Sequence, residues 1–438
     1  MSKEWISTET GGQRLRRINA ISEAILRDIR LVSISLGEED DAQVIFETLN
    51  GHGAELHATD LIRNFVFMRA DRDGADGNEL YQTFWTQFEG TFWAEQKRRG
   101  RLRNPRIEWF FQTTLQSILG DEVEIGRLYI NYRRFALPQG APIKAKEQLR
   151  VLDANAENYQ QLISGIGDDP IAAFGRRMAA WDASTIHSLA LRIAISGLAP
   201  AAQVQMYNCI TSYLVRRAIC GLTTKNYNKV FLQQLKKLSE SELSPDALRR
   251  ALSELEGDTS RWPRDEEFRR AWLGEQVYPG RLDAPRIKAV LAEVEAGLRS
   301  AHSEEPLPGG LENLDVDHIL PTSWFDFWPL PDGTQAQQSE ANSAYLALLS
   351  GERLSDRQLA IRRREEKKAT IGNLTLAHYG VNRGLHNREF LIKREKFFEV
   401  SNLHLNRSLM RLDKWDEDAI ATRAQTMFDV AVRLWGGP

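Results

Sequence analysis

The chain has 438 residues, 42% of them apolar, and a net charge of only −3, so it exceeds what one hydrophobic core usually serves and can build two or three folding units. No apolar run is long enough to cross a bilayer, and Met1-Ser2-Lys3-Glu4-Trp5 lacks the apolar stretch of a secretion signal, which points to the cytoplasm. The only two cysteines, Cys209 and Cys220, lie in an apolar helical pattern without C-x-x-C pairing. That argues against a disulfide framework or a zinc site and predicts buried, inert thiols.

In chain order, Val44 to Gly53 predicts a short helix closing on a glycine turn, and a helix restarts near Ala58 or Thr59. The Asp- and Gly-rich stretch 71–78 reads as a linker, making residues 1–70 the end of a first domain. From 79 to 300 the pattern is helical throughout, giving a helical middle domain over 71–300. Its aromatics, among them Trp85, Trp93, Phe110, Tyr132, Trp272 and Tyr278, are expected in the core rather than as base-stacking platforms. Arg216 and Arg217 sit inside an apolar helix, so at least one should face inward, most simply in a buried ion pair. The cluster Lys97, Arg98, Arg99, Arg101, Arg103 and Arg106 contains no acid and reads as a solvated face. Prolines and glycines at 302–313 mark a boundary before a last domain, 301–438, which a polar loop at 331–343 interrupts.

That last domain carries the chemistry. Leu314 to Leu320 alternates and stops at Pro321, which cannot donate to a sheet ladder, so it predicts a short strand. Ile371 to Leu376 alternates as a second strand, and Asn387 to Val400 has helical spacing, with Asn387 as its N-cap and Glu389 in its first turn. The order is strand, strand, helix. Asp317 and His318 are adjacent, so they address one point only if the strand twists or ends there, as the proline suggests. Asp317 can then hold a hard cation while neutral His318 takes a proton from water. A positioned base contributes about 10² to 10⁴ in rate, whereas phosphate-ester hydrolysis needs barrier reductions toward the upper end of about 8–23 kcal/mol, so a metal is needed as well. Asp317 and the amide oxygen of Asn382 supply two ligands, water and phosphate can complete an Mg²⁺ octahedron, and one ion suffices. Asp315 is a reserve acid, and Asn373 is expected to bond backbone across the loop presenting His318. Residues 357–396 hold eleven Lys/Arg against four Glu. Within this basic segment Arg383, Arg388, Lys393, Lys367 and Lys368 are expected against a nucleic-acid backbone.

Asp315-Val316-Asp317-His318-Ile319-Leu320-Pro321, with the nine-residue offset from Asn373 to Asn382-Arg383-Gly384, resembles the HNH (His-Me finger) domain of the RNA-guided CRISPR nucleases. The resemblance implies a ββα-metal fold with Asp317 and Asn382 as Mg²⁺ (or Mn²⁺) ligands, His318 as base and Asn373 as the structural member of the catalytic set. More broadly, Ile45-Phe46-Glu47-Thr48-Leu49-Asn50, Asp60-Leu61-Ile62-Arg63-Asn64, Tyr213-Leu214-Val215-Arg216-Arg217 and Ile371-Gly372-Asn373-Leu374-Thr375-Leu376 resemble the C-terminal portion of GmrSD-type, modification-dependent (Type IV) restriction enzymes and SspE-like proteins. This implies a mainly α chain, a large helical domain followed by a small HNH domain, that cuts modified or foreign DNA in antiviral defence. Residues 1–70 would be the remnant of the family's N-terminal domain. Its D-G-Q-Q-R-L motif, tied to nucleotide handling, survives only as Thr10-Gly11-Gly12-Gln13-Arg14-Leu15, so nuclease activity carries over and NTP hydrolysis does not. The rival readings are an RNA-cleaving HNH nuclease and a helical interaction module that is inactive without an N-terminal sensor.

Overall fold

A computed structural model describes residues 12–28, 57–181, 183–240, 242–299, 313–378 and 387–438. Its contacts divide the chain into Met1–Leu61 and Ile62–Pro438. In the first unit, Gly12–Glu23 is a helix with no buried residue. The helix expected at Val44–Gly53 lies outside the described residues, as does the expected boundary at 302–312. The next helix begins at Ala58, where the sequence placed it, and runs to Arg72.

The second unit is mainly helical. The stretch 71–78 is a capped turn: Asp76 accepts from Asn78 N and Glu79 N, and Asp73 Oδ2 accepts from Ala145 N at 2.8 Å. Aromatics fill the first core as expected: Trp93, Phe110, Phe111 and Tyr132 are each at most 1% exposed, and Phe110 packs edge-on to Tyr159 at 5.5 Å. Such pairs add about 0.5–1.5 kcal/mol each beyond their burial. Prolines open the helices Pro170–Met178, Pro200–Ile219 and Pro245–Ser253, where the missing N–H costs no hydrogen bond.

The expectation of uninterrupted helix from 79 to 300 is corrected by a hairpin. Strands β1 (Gln96–Arg99) and β2 (Leu102–Pro105) pair antiparallel around Gly100-Arg101. Gly100 has φ +60°, which a two-residue hairpin loop requires and a glycine adopts without strain. The run is not the wholly solvated face expected of it: Arg106 is 7% exposed and pairs with Glu95, and Arg99 is half-buried. The sequence carries no β-branched residue that would have announced strands.

Arg216 and Arg217 are both fully buried. Arg216 pairs with Asp265 at 2.6 Å, although that carboxylate is exposed rather than buried as expected, and donates to the carbonyls of Trp435 at 2.6 Å and Pro263 at 3.1 Å. Arg217 instead spends its guanidinium on the carbonyls of Arg261, Thr223, Asp258 and Thr259. Ser212 Oγ donates to Gly436 O at 2.7 Å and Arg249 to Gly437 O at 2.5 Å, so the C-terminal tail lies across the helix Pro200–Ile219. Cys209 and Cys220 are free thiols, and burial pushes both up to about 12, which keeps them protonated and inert. Among the described residues no helix is long and apolar enough to cross a membrane.

A second core surrounds the segment of interest, built from Ile319, Leu320, Trp324, Trp328, Phe390, Phe397, Leu409, Trp415 and Ile420. Strand β3 (Leu314–His318) pairs antiparallel with β4 (Leu374–His378), His318 opposite Leu374 and Asp317 opposite Thr375. The second strand starts three residues later than its alternation predicts, because Ile371–Asn373 is a tight 3-10 turn. From Leu374 to Ala377 every residue is buried, so both faces of the strand are covered and alternation carries no signal. The polar loop expected at 331–343 ends at Gln337, whose capping box with Glu340 opens the helix Gln338–Leu349.

Gly372 lies against the last helix, Glu417–Leu434. A Cβ there would drive into the Ile420 carbonyl oxygen and come within 2.8 Å of Ala424 Cβ. Gly372→Ala is therefore expected to destabilise the protein by about 1–3 kcal/mol, read as a lower denaturant midpoint. An unchanged midpoint would refute the close approach.

Candidate active site at the end of the third strand

Asp317 and His318 close β3, and the two residues after them fix their direction. Ile319 and Leu320 are 0% and 1% exposed, each contributing about 1.5–3 kcal/mol by burial, and Ile319 N donates to Asn373 O at 2.9 Å. Asn373 uses its whole carboxamide. Oδ1 accepts from Leu320 N at 2.8 Å and Trp415 Nε1 at 2.9 Å, while Nδ2 donates to Leu320 O at 2.8 Å and Lys368 O at 2.7 Å. The side chain holds the turn behind His318 and keeps no atom for a ligand.

His318 Nε2 lies 2.9 Å from Tyr278 O. A carbonyl only accepts, so Nε2 carries the proton and Nδ1 of the neutral ring keeps its lone pair. The Tyr278 ring stacks on the imidazole, centroids 5.7 Å apart and 19° between planes. Tyr278 belongs to the loop 277–281, held by Val277 N donating to Ala369 O at 2.8 Å. Burial lowers the His318 pKa, opposed by the Tyr278 carbonyl and by Asp317, so the ring is neutral at physiological pH.

Asp317 is 7% exposed. Its Oδ2 is buried without a hydrogen-bond partner, and the nearest cation, Lys393 Nζ, stands 3.6 Å away. Burial raises the Asp317 carboxyl and Lys393 opposes that rise. An orphaned buried carboxylate oxygen suits the demand of a hard cation for an oxygen donor. Among the described residues no group of three or more His, Cys, Asp or Glu side chains could hold a metal ion. Asp315 is exposed. Asn382 and Arg383 lie outside the described residues.

The other cations expected against nucleic acid are placed differently from one another. Arg388 is exposed. Lys367 is half-buried with Nζ 3.4 Å from Leu273 O, and Lys368 pairs with Glu365 at 2.5 Å. Lys393 is only 1% exposed and donates to His318 O at 2.8 Å, so it faces inward to Asp317 and away from any solvent-side backbone. Its position was readable: Phe390, Lys393 and Phe397 share the buried face of the helix Phe390–Val400. Arg364 of the basic run is likewise internal, in a buried pair with Glu417 at 2.6 Å. Nor does Asn387 cap that helix. Glu389 takes the cap position, without a side-chain bond, and Asn387 O accepts from Trp328 Nε1 at 3.2 Å. Tyr278 went unnoticed as a site residue, because a backbone carbonyl leaves no side-chain signature.

Residues 262–430 match the family model of the GmrSD restriction endonucleases, C-terminal domain. No curated protein matches the chain. The matched stretch holds the Tyr278 loop, strands β3 and β4, Asn373 and Lys393, so this part of the chain is similar to the C-terminal domain of the GmrSD restriction endonucleases.

Proposed function

We propose that the chain is a metal-dependent DNA endonuclease of the HNH (His-Me finger) type, with His318 as general base and a single Mg²⁺ or Mn²⁺ ion. The observation that carries this reading is the 2.9 Å contact of His318 Nε2 with Tyr278 O: the carbonyl can only accept, so Nε2–H donates to it and Nδ1 is left to accept a proton. The residue before His318 in the strand, Asp317, has a buried carboxylate oxygen without a hydrogen-bond partner. Asp317 and Asn382 would hold the ion. When bound, it polarises the phosphoryl oxygens and offsets charge on the leaving oxygen.

His318 Nδ1 takes a proton from the attacking water as that water approaches phosphorus. The stacked Tyr278 ring and the carbonyl behind it keep the imidazole from turning, and Asp317 favours the imidazolium that results. Lys393 offsets the Asp317 charge and ties the His318 carbonyl. The products are a 5′-phosphate and a 3′-hydroxyl. The substrate is modified or foreign DNA met in the cytoplasm, as part of a restriction system.

The test is supercoiled plasmid incubated with Mg²⁺, with Mn²⁺ or with chelator, beside structured RNA under the same conditions. Relaxed or linear DNA is expected with either metal and none with chelator, the RNA staying intact. Cleavage indifferent to chelator would remove the metal from the reading, and RNA cut while plasmid is spared would replace the substrate.

A further inference from the structure

The basic hairpin roofs a cavity of about 410 Å³ that lies outside the family-matched stretch, lined by Arg99, Gln112, Gln116, Ser188 and Lys229 among others. Its floor holds an unusual cation. Arg99 lies over the Trp109 ring at 4.8 Å and reaches Tyr159 OH at 3.1 Å, His187 Nδ1 at 3.4 Å and Thr113 Oγ1 at 3.5 Å. All of these neighbours are neutral. Burial holds His187 down to about 3 and raises the Tyr159 phenol, so the imidazole offers Arg99 a lone pair and no charge. Among the described residues Arg99 makes no ion pair, and burial disfavours its charge. A half-buried guanidinium surrounded only by dipoles is costly, and an anion delivered to it would offset that cost.

The rim repeats the pattern. Lys229 of the helix Tyr227–Ser239 lines the cavity and is exposed without an ion pair among the described residues, against one exposed acid in the lining, Glu122. Structural arginines of this protein look different: Arg216 has Asp265, and Arg217 has four carbonyls. The carboxamide of Asn228 lies on the same wall, with those of Gln112 and Gln116, whose Nε2 donates to Val123 O and whose Oε1 accepts from Ser188 Oγ respectively; carboxamides are groups that read the edges of bases. The volume falls in the range of small-ligand sites.

We propose that this cavity binds the phosphate of a nucleotide unit, with Arg99 and Lys229 as its anion-holding residues. The unit is either a free nucleotide or one nucleotide of a strand, and the experiment separates the two. Calorimetric titrations of the full chain, with divalent metal chelated, use inorganic phosphate, deoxynucleoside 5′-monophosphates and a short single-stranded oligodeoxynucleotide.

At least one probe is expected to bind, about tenfold more weakly to Arg99→Gln and about threefold more weakly to Lys229→Gln, with affinity falling as salt rises. Binding of monophosphates points to a free nucleotide, and binding of the oligonucleotide alone points to a strand. His318→Ala should bind as the wild type does, which separates this cavity from the nuclease centre. Lys229 is exposed, so its variant decides the matter if Arg99→Gln does not fold. No binding by any probe, or equal binding by wild type and the folded variants, overturns the proposal.

Discussion

His318→Ala is expected to slow plasmid cleavage by about 10² to 10⁴-fold, the usual contribution of a positioned general base. The ring is held at both faces of its chemistry: Nε2 bonds to Tyr278 O at 2.9 Å, and the tyrosine ring lies 5.7 Å away in a stacked arrangement. Alanine removes the proton acceptor and that packing together, so loss of activity alone would not distinguish base from scaffold. His318→Gln does distinguish them. A glutamine amide nitrogen reaches the Nε2 position and can still donate toward Tyr278 O, but it cannot take a proton from water near neutral pH, so the variant should unfold close to wild type and be as inactive as alanine. Cleavage within threefold of wild type by either variant would dismiss His318 as the base.

Asn373→Ala should produce the largest stability loss of any single change at this site, about 3–5 kcal/mol in chemical denaturation. Its amide makes four hydrogen bonds, to Leu320 N, Leu320 O, Lys368 O and Trp415 Nε1. Truncation leaves those partners buried and unpaired, at about 1–3 kcal/mol for each group that water does not reach. Against a total stability of about 5–15 kcal/mol this is a large share. A loss below 1 kcal/mol would mean that solvent reaches the turn and that Asn373 does not hold it.

The two strands, the helix after the second and the structural duty of Asn373 were legible because each rests on a local rule, whereas the helices Gln338–Leu349 and Asp356–Lys367 between the strands were not read, and the first strand ends at His318 rather than Leu320. Proline stops a ladder, and a carboxamide beside a turn finds backbone. What escaped belongs to other kinds of information. Tyr278 acts through its carbonyl, which every residue possesses, and it arrives from forty residues upstream. Lys393 was misjudged because charge was weighed over periodicity, although it lies three and four residues from Phe390 and Phe397 on one helical face. The second strand began late because the tight turn at Ile371–Asn373 is set by the neighbouring helix, which alternation cannot register.

Trp435, Gly436 and Gly437 hand their carbonyls to Arg216, Ser212 and Arg249, and Trp272 Nε1 donates to Ala424 O at 3.1 Å. The end of the chain is thereby clasped by helices that all precede the nuclease motif, the farthest of them Pro200–Ile219. Heating should consequently melt the upstream helices and the nuclease region in a single cooperative step. Trimming those last residues would strip a fully enclosed guanidinium of a partner and loosen a region far from the cut end.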